Sequence, residues 1–211
     1  NRKKISFKSG KGSYLYGVNG KKYLDFVQGI AVNSLGHAHP ELVKAINNQA
    51  KKLWHVSNAF TIPEGEELAK KIAKKTFADY VIFQNSGAEA TEAAIKVARR
   101  YFYSIGKADK NRIICIKNSF HGRTLATIYA SGSKKMTEGF GPRVAGFDHF
   151  NFGDHKSLKK LITKNTAAVM VETMVRLPLL VLEVRQVTPS LGLVVVVTAL
   201  QLLVSLLELT P

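Results

Sequence analysis

The chain has 211 residues, 31 Lys and Arg against 15 Asp and Glu, and a formal net charge of +16. Its 45% hydrophobic and 22% charged composition excludes global disorder and collagen-like repeats, and its one cysteine, Cys115, excludes an intramolecular disulfide framework and every multi-cysteine zinc site. The charge invites a nucleic-acid reading, but the lysines stand in scattered pairs such as Lys21-Lys22, Lys51-Lys52 and Lys74-Lys75, with no arginine-rich arm and no aromatics interleaved with basic residues; solvated helix faces are expected instead, with no nucleic-acid partner.

Residues 1–8 contain no apolar core and no cleavage pattern, so no signal peptide is expected, and the missing initiator Met leaves room for residues upstream. Two alternating segments around Asn19-Gly20, within Tyr14–Phe26, predict a β-hairpin. Gly29–Pro40 reads as a loop. Pro40 suits the first turn of a helix over 41–54, and a second helix is expected over 65–76 with Leu68, Ala69, Ile72 and Ala73 on one face. Tyr80–Phe83 predicts a short strand. Ser86–Tyr103 predicts an amphipathic helix whose apolar stripe is Ala90, Ala93, Ala94, Val97, Ala98 and Tyr101. A strand at 112–116, a helix at 154–163 and a strand at 167–171 complete an alternation that indicates an α/β domain with a mostly parallel sheet and flanking helices.

From residue 173 the composition changes. The last Lys is Lys164, the last Asp is Asp154 and the last His is His155; residues 173–211 carry only Arg176, Glu183, Arg185 and Glu208 as charges. The apolar run 193–207 is shorter than the ~18–20 residues of a membrane span and is interrupted by Thr198, Gln201 and Ser205, so no membrane partner is expected. This anomalous hydrophobic tail is expected to be foreign to the fold, through a shifted reading frame or a misassigned sequence.

Two blocks carry chemistry. In Phe83–Glu92, Ser86 and Glu89 stand as a capping box at the start of a long helix, Gly87 removes a side chain, and the amides of Gly87 and Ala88 project outward at the positive end of the helix dipole. That is a phosphate cradle in physical terms. In Asn118–Thr124, Phe120 offers a flat face for an aromatic cofactor, Gly122 a turn, and Arg123 a planar fork for a carboxylate. His121 stands beside Phe120, with a cofactor contact and a hydrogen bond to backbone as its alternatives. The pair His37 and His39 lacks a third ligand at metal spacing, so a loop-ordering role and no metal site are expected. Cys115 reads as a buried apolar side chain.

The segments Gly29–Pro40, Leu53–Phe60, Asn85–Ala90, Ser119–Thr124, Gly139–Pro142 and Ala168–Glu172 resemble, in order and spacing, the class III aminotransferases that depend on pyridoxal 5'-phosphate. The resemblance covers residues 5–172 and, within the class, is greatest to the arginine-biosynthesis branch. It implies the type I fold of these enzymes, represented by an incomplete large domain: residues 1–35 contributing to the small domain, 36–172 to the large cofactor-binding domain, and 173–211 to neither. It implies a cytoplasmic homodimer that moves an amino group from N-acetylornithine to 2-oxoglutarate, giving N-acetylglutamate semialdehyde and glutamate. Ornithine, succinylornithine and 4-aminobutyrate are alternative donors of related class members, and a non-catalytic truncated subunit is the other reading. By resemblance Ser86, Gly87, Ala88, Phe120 and His121 hold the cofactor and Arg123 binds a substrate carboxylate. The family often has Thr where Ala88 stands. It also places a gating Glu where Leu177 stands, and later an Asp for the pyridinium nitrogen and a Schiff-base lysine. No Asp follows Asp154 and no Lys follows Lys164, so no catalytic lysine is present and the chain is expected to be inactive as written.

Overall fold

In the computed structural model residues 3–172 are described, so the expectations about 173–211 lie outside the described residues. The chain divides into two compact units, Asn1–Val81 and Ile82–Pro211; the sequence boundary between 35 and 36 falls within the first.

In the first unit, strands β1 (Phe7–Lys11), β2 (Tyr14–Gly17) and β3 (Lys22–Leu24) form an antiparallel sheet in the order β1-β2-β3. The expected hairpin is its β2–β3 half, with Tyr14 opposite Leu24 and Tyr16 opposite Lys22. Gly20 takes the left-handed conformation (φ 77°) that an L side chain resists, and the Asn19 side chain accepts the Lys21 amide at 3.1 Å. Strand β1 was not expected: its FKSGK sequence carries one large apolar residue, Phe7, which packs edge-on against Tyr23. The segment read as a loop contains a short turn, α1 (Gln28–Ala31), with Gln28, Gly29 and Ile30 all left-handed. Asp25 fastens it: one carboxylate oxygen accepts the Val27 and Gln28 amides, and the other lies 2.7 Å from His37 Nε2. Asn33 engages the opposite ring nitrogen at 3.2 Å, so His37 orders this loop as expected.

Helix α2 (Pro40–Ala50) has Pro40 in its first turn and ends four residues short of the expected Trp54; helix α3 (Pro63–Lys75) begins two residues earlier than expected. Neither buries a residue.

The second unit is built on a parallel sheet in the order β5-β4-β6, from β4 (Arg112–Ile116), β5 (Phe147–Phe150) and β6 (Thr166–Met170). Central β4 is the apolar run Ile113-Ile114-Cys115-Ile116, as a strand covered on both faces should be. Alternate residues serve two cores. Ile113 and Cys115 pack with Ile95, Ala98 and Phe102 of helix α4 (Gly87–Ser104), Ala130 of helix α5 (Leu125–Ala130), Phe147 and Met170. Ile114 and Ile116 pack with Phe150 and, from helix α7 (His155–Leu161), Leu158 and Leu161. Helix α6 (Lys134–Thr137) is a single turn between α5 and β5. The Arg112 guanidinium forks onto Asp148 across the edge of β4 and β5, and that partnership holds the arginine proton more firmly than usual. The α/β class and the parallel sheet are as expected.

Two expectations fail. Tyr80–Phe83 forms no strand, because a strand requires a ladder partner and none pairs with it among the described residues; Tyr80 is 91% exposed. The α4 stripe is displaced: Thr91, Ile95, Ala98 and Phe102 are buried, whereas Val97 and Tyr101 are exposed. Alanine-rich helices carry small apolar residues on more than one face, and the larger Ile95 and Phe102 decide which face meets the sheet. Strand β5 was missed because Gly146-Phe-Asp-His-Phe offers too few aliphatic residues to stand out.

Candidate active site

Helix α4 begins where Ser86, extended at the N-cap, accepts the Glu89 amide on Oγ at 3.2 Å. The reciprocal half of the capping box is replaced: the Glu89 carboxylate takes the Ser86 hydroxyl at 3.2 Å and the Asn85 side-chain amide at 3.4 Å instead of the Ser86 backbone N–H. The amides of Gly87 and Ala88 have no acceptor among the described residues. A Cβ placed on Gly87 would meet no atom within 4 Å, so open space faces the positive end of an 18-residue helix. The protein's own packing does not require the glycine there.

The second block leaves the carboxyl end of β4, the edge of a parallel sheet at which ligands are ordinarily received. Asn118 turns the chain with φ 62°, and its amide donates to Ser131 O at 2.8 Å. Phe120 presents a ring that is 49% exposed, and its amide donates to Glu172 Oε2 at 2.6 Å. His121 turns the other way and is 4% exposed. The Ser119 hydroxyl donates to Ile116 O at 2.7 Å, so its oxygen accepts from His121 Nε2 at 2.8 Å and fixes the Nε2–H tautomer. Burial, and secondarily the charge of His149, lowers the His121 pKa to about 4, so it is neutral near pH 7. Arg123 is exposed and has no acidic partner among the described residues.

Gly122 joins the two blocks. Its φ of 124° is a glycine conformation, and a Cβ there would lie 2.7 Å from the Ala88 Cβ and 3.0 Å from Thr127 Oγ1. The turn that carries Phe120 and Arg123 therefore sits directly on the first turn of α4. A second tie follows, the Thr124 hydroxyl donating to a Glu92 carboxylate oxygen. The structure thus assembles Ser86, Gly87, Ala88, Phe120, His121 and Arg123 about one junction, without the strand expected at 80–83. Sequence reasoning missed Glu92, Thr124 and Glu172. Glu92 lies one helical turn from Ala88, a spacing that marks it as a neighbour of the cradle; nothing in the sequence pairs Glu172 with Phe120.

Chemically the junction offers free backbone amides for an anion, a flat aromatic face and an unpaired guanidinium. His37 and His39 belong to the first unit, and no group of three potential metal ligands occurs among the described residues. Cys115 is fully buried and its thiol pKa is pushed far upward by burial, leaving an inert thiol. No helix among the described residues is long and apolar enough to cross a membrane.

The aminotransferase class-III family model matches residues 1–176. Acetylornithine aminotransferase of Agrobacterium fabrum is 57% identical over 171 residues, 81% of this chain and 43% of that protein. Among solved structures, ornithine aminotransferase of Toxoplasma gondii is similar with a TM-score of 0.76 at 31% identity, over 82% of this chain and 42% of that one. N-acetylornithine aminotransferase of Stenotrophomonas maltophilia follows with a TM-score of 0.66 at 35% identity, over 81% and 42%. The chain spans less than half the length of these relatives.

Proposed function

We propose that this chain, which belongs to the class-III aminotransferase family, forms the cofactor-receiving half of a pyridoxal-phosphate-dependent aminotransferase that takes N-acetylornithine as amino donor and 2-oxoglutarate as acceptor in arginine biosynthesis. The observation that carries the reading is the Gly122–Ala88 contact, which sets free helix amides, an exposed aromatic ring and an unpaired arginine at one junction.

The residues present fit that cofactor. The Gly87 and Ala88 amides and the α4 dipole suit its phosphate, with open space at Gly87 to admit it. Phe120 suits its pyridine ring, with the backbone that carries it held through the Phe120 amide on Glu172. When bound, pyridoxal phosphate supplies an electron sink for the carbon that bears the transferred amino group. Ser86 holds the helix start in place through its hydroxyl, so the cradle is set before any ligand arrives. His121 holds its proton on Nε2 toward Ser119 and so braces the turn beneath Phe120's backbone. Arg123 binds and orients a substrate carboxylate. The last lysine of these 211 residues is Lys164 and the last aspartate Asp154, so the reading assigns them the holding of the cofactor's phosphate and ring and leaves its covalent anchor unassigned.

Within the same proposal, residues 1–35 contribute to the small domain and 36–172 to the large one, and the working enzyme is a cytoplasmic homodimer. The likeness to an ornithine aminotransferase keeps unacetylated ornithine as the competing donor, with succinylornithine and 4-aminobutyrate behind it. The test is a phosphorus NMR titration of pyridoxal phosphate into the 211-residue chain, repeated with Ala88→Pro, which removes one amide. Saturable binding weakened about tenfold or more by the substitution supports the reading; equal binding by both proteins overturns it. Glutamate production by a version carrying the family's lysine, assayed with each donor in turn, ranks the donors.

A further inference from the structure

The turn after β4 is held at three points. Phe120 is tied through its amide to Glu172, and Gly122 is pressed onto Ala88. Thr124 is tied through its hydroxyl to Glu92 of α4. His121, between the first two, is bound by Ser119. Arg123 is therefore the one residue of 120–124 whose side chain is both polar and without a partner among the described residues, and its backbone is gripped on either side.

The Thr124 tie is unusual for its position. Thr124 is the N-cap of α5, where a threonine hydroxyl ordinarily accepts an amide of the first turn. Here it caps nothing. Its hydrogen goes instead to Glu92, on a different helix 32 residues earlier. The buried Thr127 hydroxyl donates to Thr124 O at 3.0 Å, and its oxygen lies 3.0 Å from Thr124 Oγ1, near enough for its one hydrogen to be shared between the two. The chain forgoes a local helix cap in favour of a tie between the two blocks of the site. Glu92 is also kept on a hydroxyl, without an ion pair to Arg123, so the guanidinium stays free for a ligand.

We infer that Glu92, acting through Thr124, is a positioning residue that sets the direction of Arg123 and with it the site's affinity for a substrate carboxylate. This rests on the proposed role of Arg123 as the carboxylate ligand. A bidentate fork is effective only when its backbone is held to within roughly 0.5 Å, and a pre-ordered arginine loses less freedom on binding.

The test uses the 211-residue chain with glutarate as the carboxylate probe, measured by calorimetry, together with amide hydrogen exchange at 120–124 in the free protein. Thr124→Val and Glu92→Ala are each expected to weaken glutarate about tenfold and to speed exchange at 122–124 about tenfold while β4 stays protected. The double variant should be no worse than either single change, because one bond is lost once. Thr124→Ser, which keeps the hydroxyl, should bind within about twofold of the unsubstituted chain. Unchanged affinity in Thr124→Val overturns the inference, even if the melting temperature falls, provided Arg123→Ala abolishes binding. If Arg123→Ala binds glutarate normally, the carboxylate role of Arg123 is what fails; faster exchange in Thr124→Val then leaves Glu92 as an anchor of the turn alone.

Discussion

Helices α2 and α4 are both amphipathic, yet α2 buries none of its residues while α4 buries Thr91, Ile95, Ala98 and Phe102. The same contrast runs through the two units. Between 82 and 172 a central strand is covered on both faces by helices of the same unit, and Ile113, Ile114 and Cys115 lose essentially all contact with solvent. Between residues 3 and 81, Leu42, Ile46, Trp54 and Phe60 remain exposed, and local devices set the backbone: a turn at Asn19-Gly20, the Asp25 tie to His37 and proline at the start of α2. Periodicity specifies that a helix will form and which face is apolar, but it does not name what covers that face. A unit whose apolar faces stay open is shaped by short-range hydrogen bonds, and one that closes on itself is shaped by packing.

This contrast is open to direct test. The largest effect is expected from Ile114→Ala, which empties a fully buried site: about 2–5 kcal/mol by urea unfolding, against at most about 0.5 kcal/mol for Ile46→Ala on α2, where the side chain is 68% exposed. Equal costs would break the contrast. Next comes acid. His121 has a folded pKa of about 4 against the ordinary 6.5, so between those values the unfolded chain binds a proton that the native state refuses. Stability of the second unit is therefore full above pH 6.5 and falls as pH drops through the window to 4, by up to about 3 kcal/mol, with His149 acting in the same direction. Denaturant midpoints at pH 7 and pH 4.5 check it, and His121→Gln should flatten the slope. A smaller effect, about 1 kcal/mol, is expected for Ser86→Ala, which removes the hydroxyl that caps α4; a stability loss with weaker pyridoxal phosphate binding would show that cap and cradle are one structure. The smallest belongs to Lys71→Ala, which breaks an exposed pair with Glu67 on α3 and should leave the melting temperature unchanged in a thermal scan.

Much of the second unit was legible because its signals are strong and local. Ile113–Ile116 is too apolar to be anything but a buried strand, and Ser86 before an alanine-rich segment announces a helix start. The Phe120, Gly122 and Arg123 block could be proposed as a site because it sets a flat aromatic face and a planar cation on either side of a glycine turn, suiting a ring and a carboxylate. The errors share a cause. Tyr80–Phe83 has the composition of a strand but no neighbour to bond, and β5 has a neighbour without the composition. Strand identity depends on pairing as much as on residue preference.

By itself the sequence determined α4, β4, α7 and β6 of the second unit and the family to which the motifs point, and it singled out the residues proposed for a phosphate, a ring and a carboxylate. Each of those is written in contiguous residues whose spacing matches a backbone period or a ligand's chemistry. Tertiary structure alone decided that Ala88 and Gly122, 34 positions apart in the chain, touch, that Glu92 and Glu172 hold the turn from two sides, and that His121 faces inward while Phe120 and Arg123 stay open to solvent. Such contacts follow from how α4 seats on the sheet. That seating is a sum over the whole buried surface, so no local window of sequence contains it.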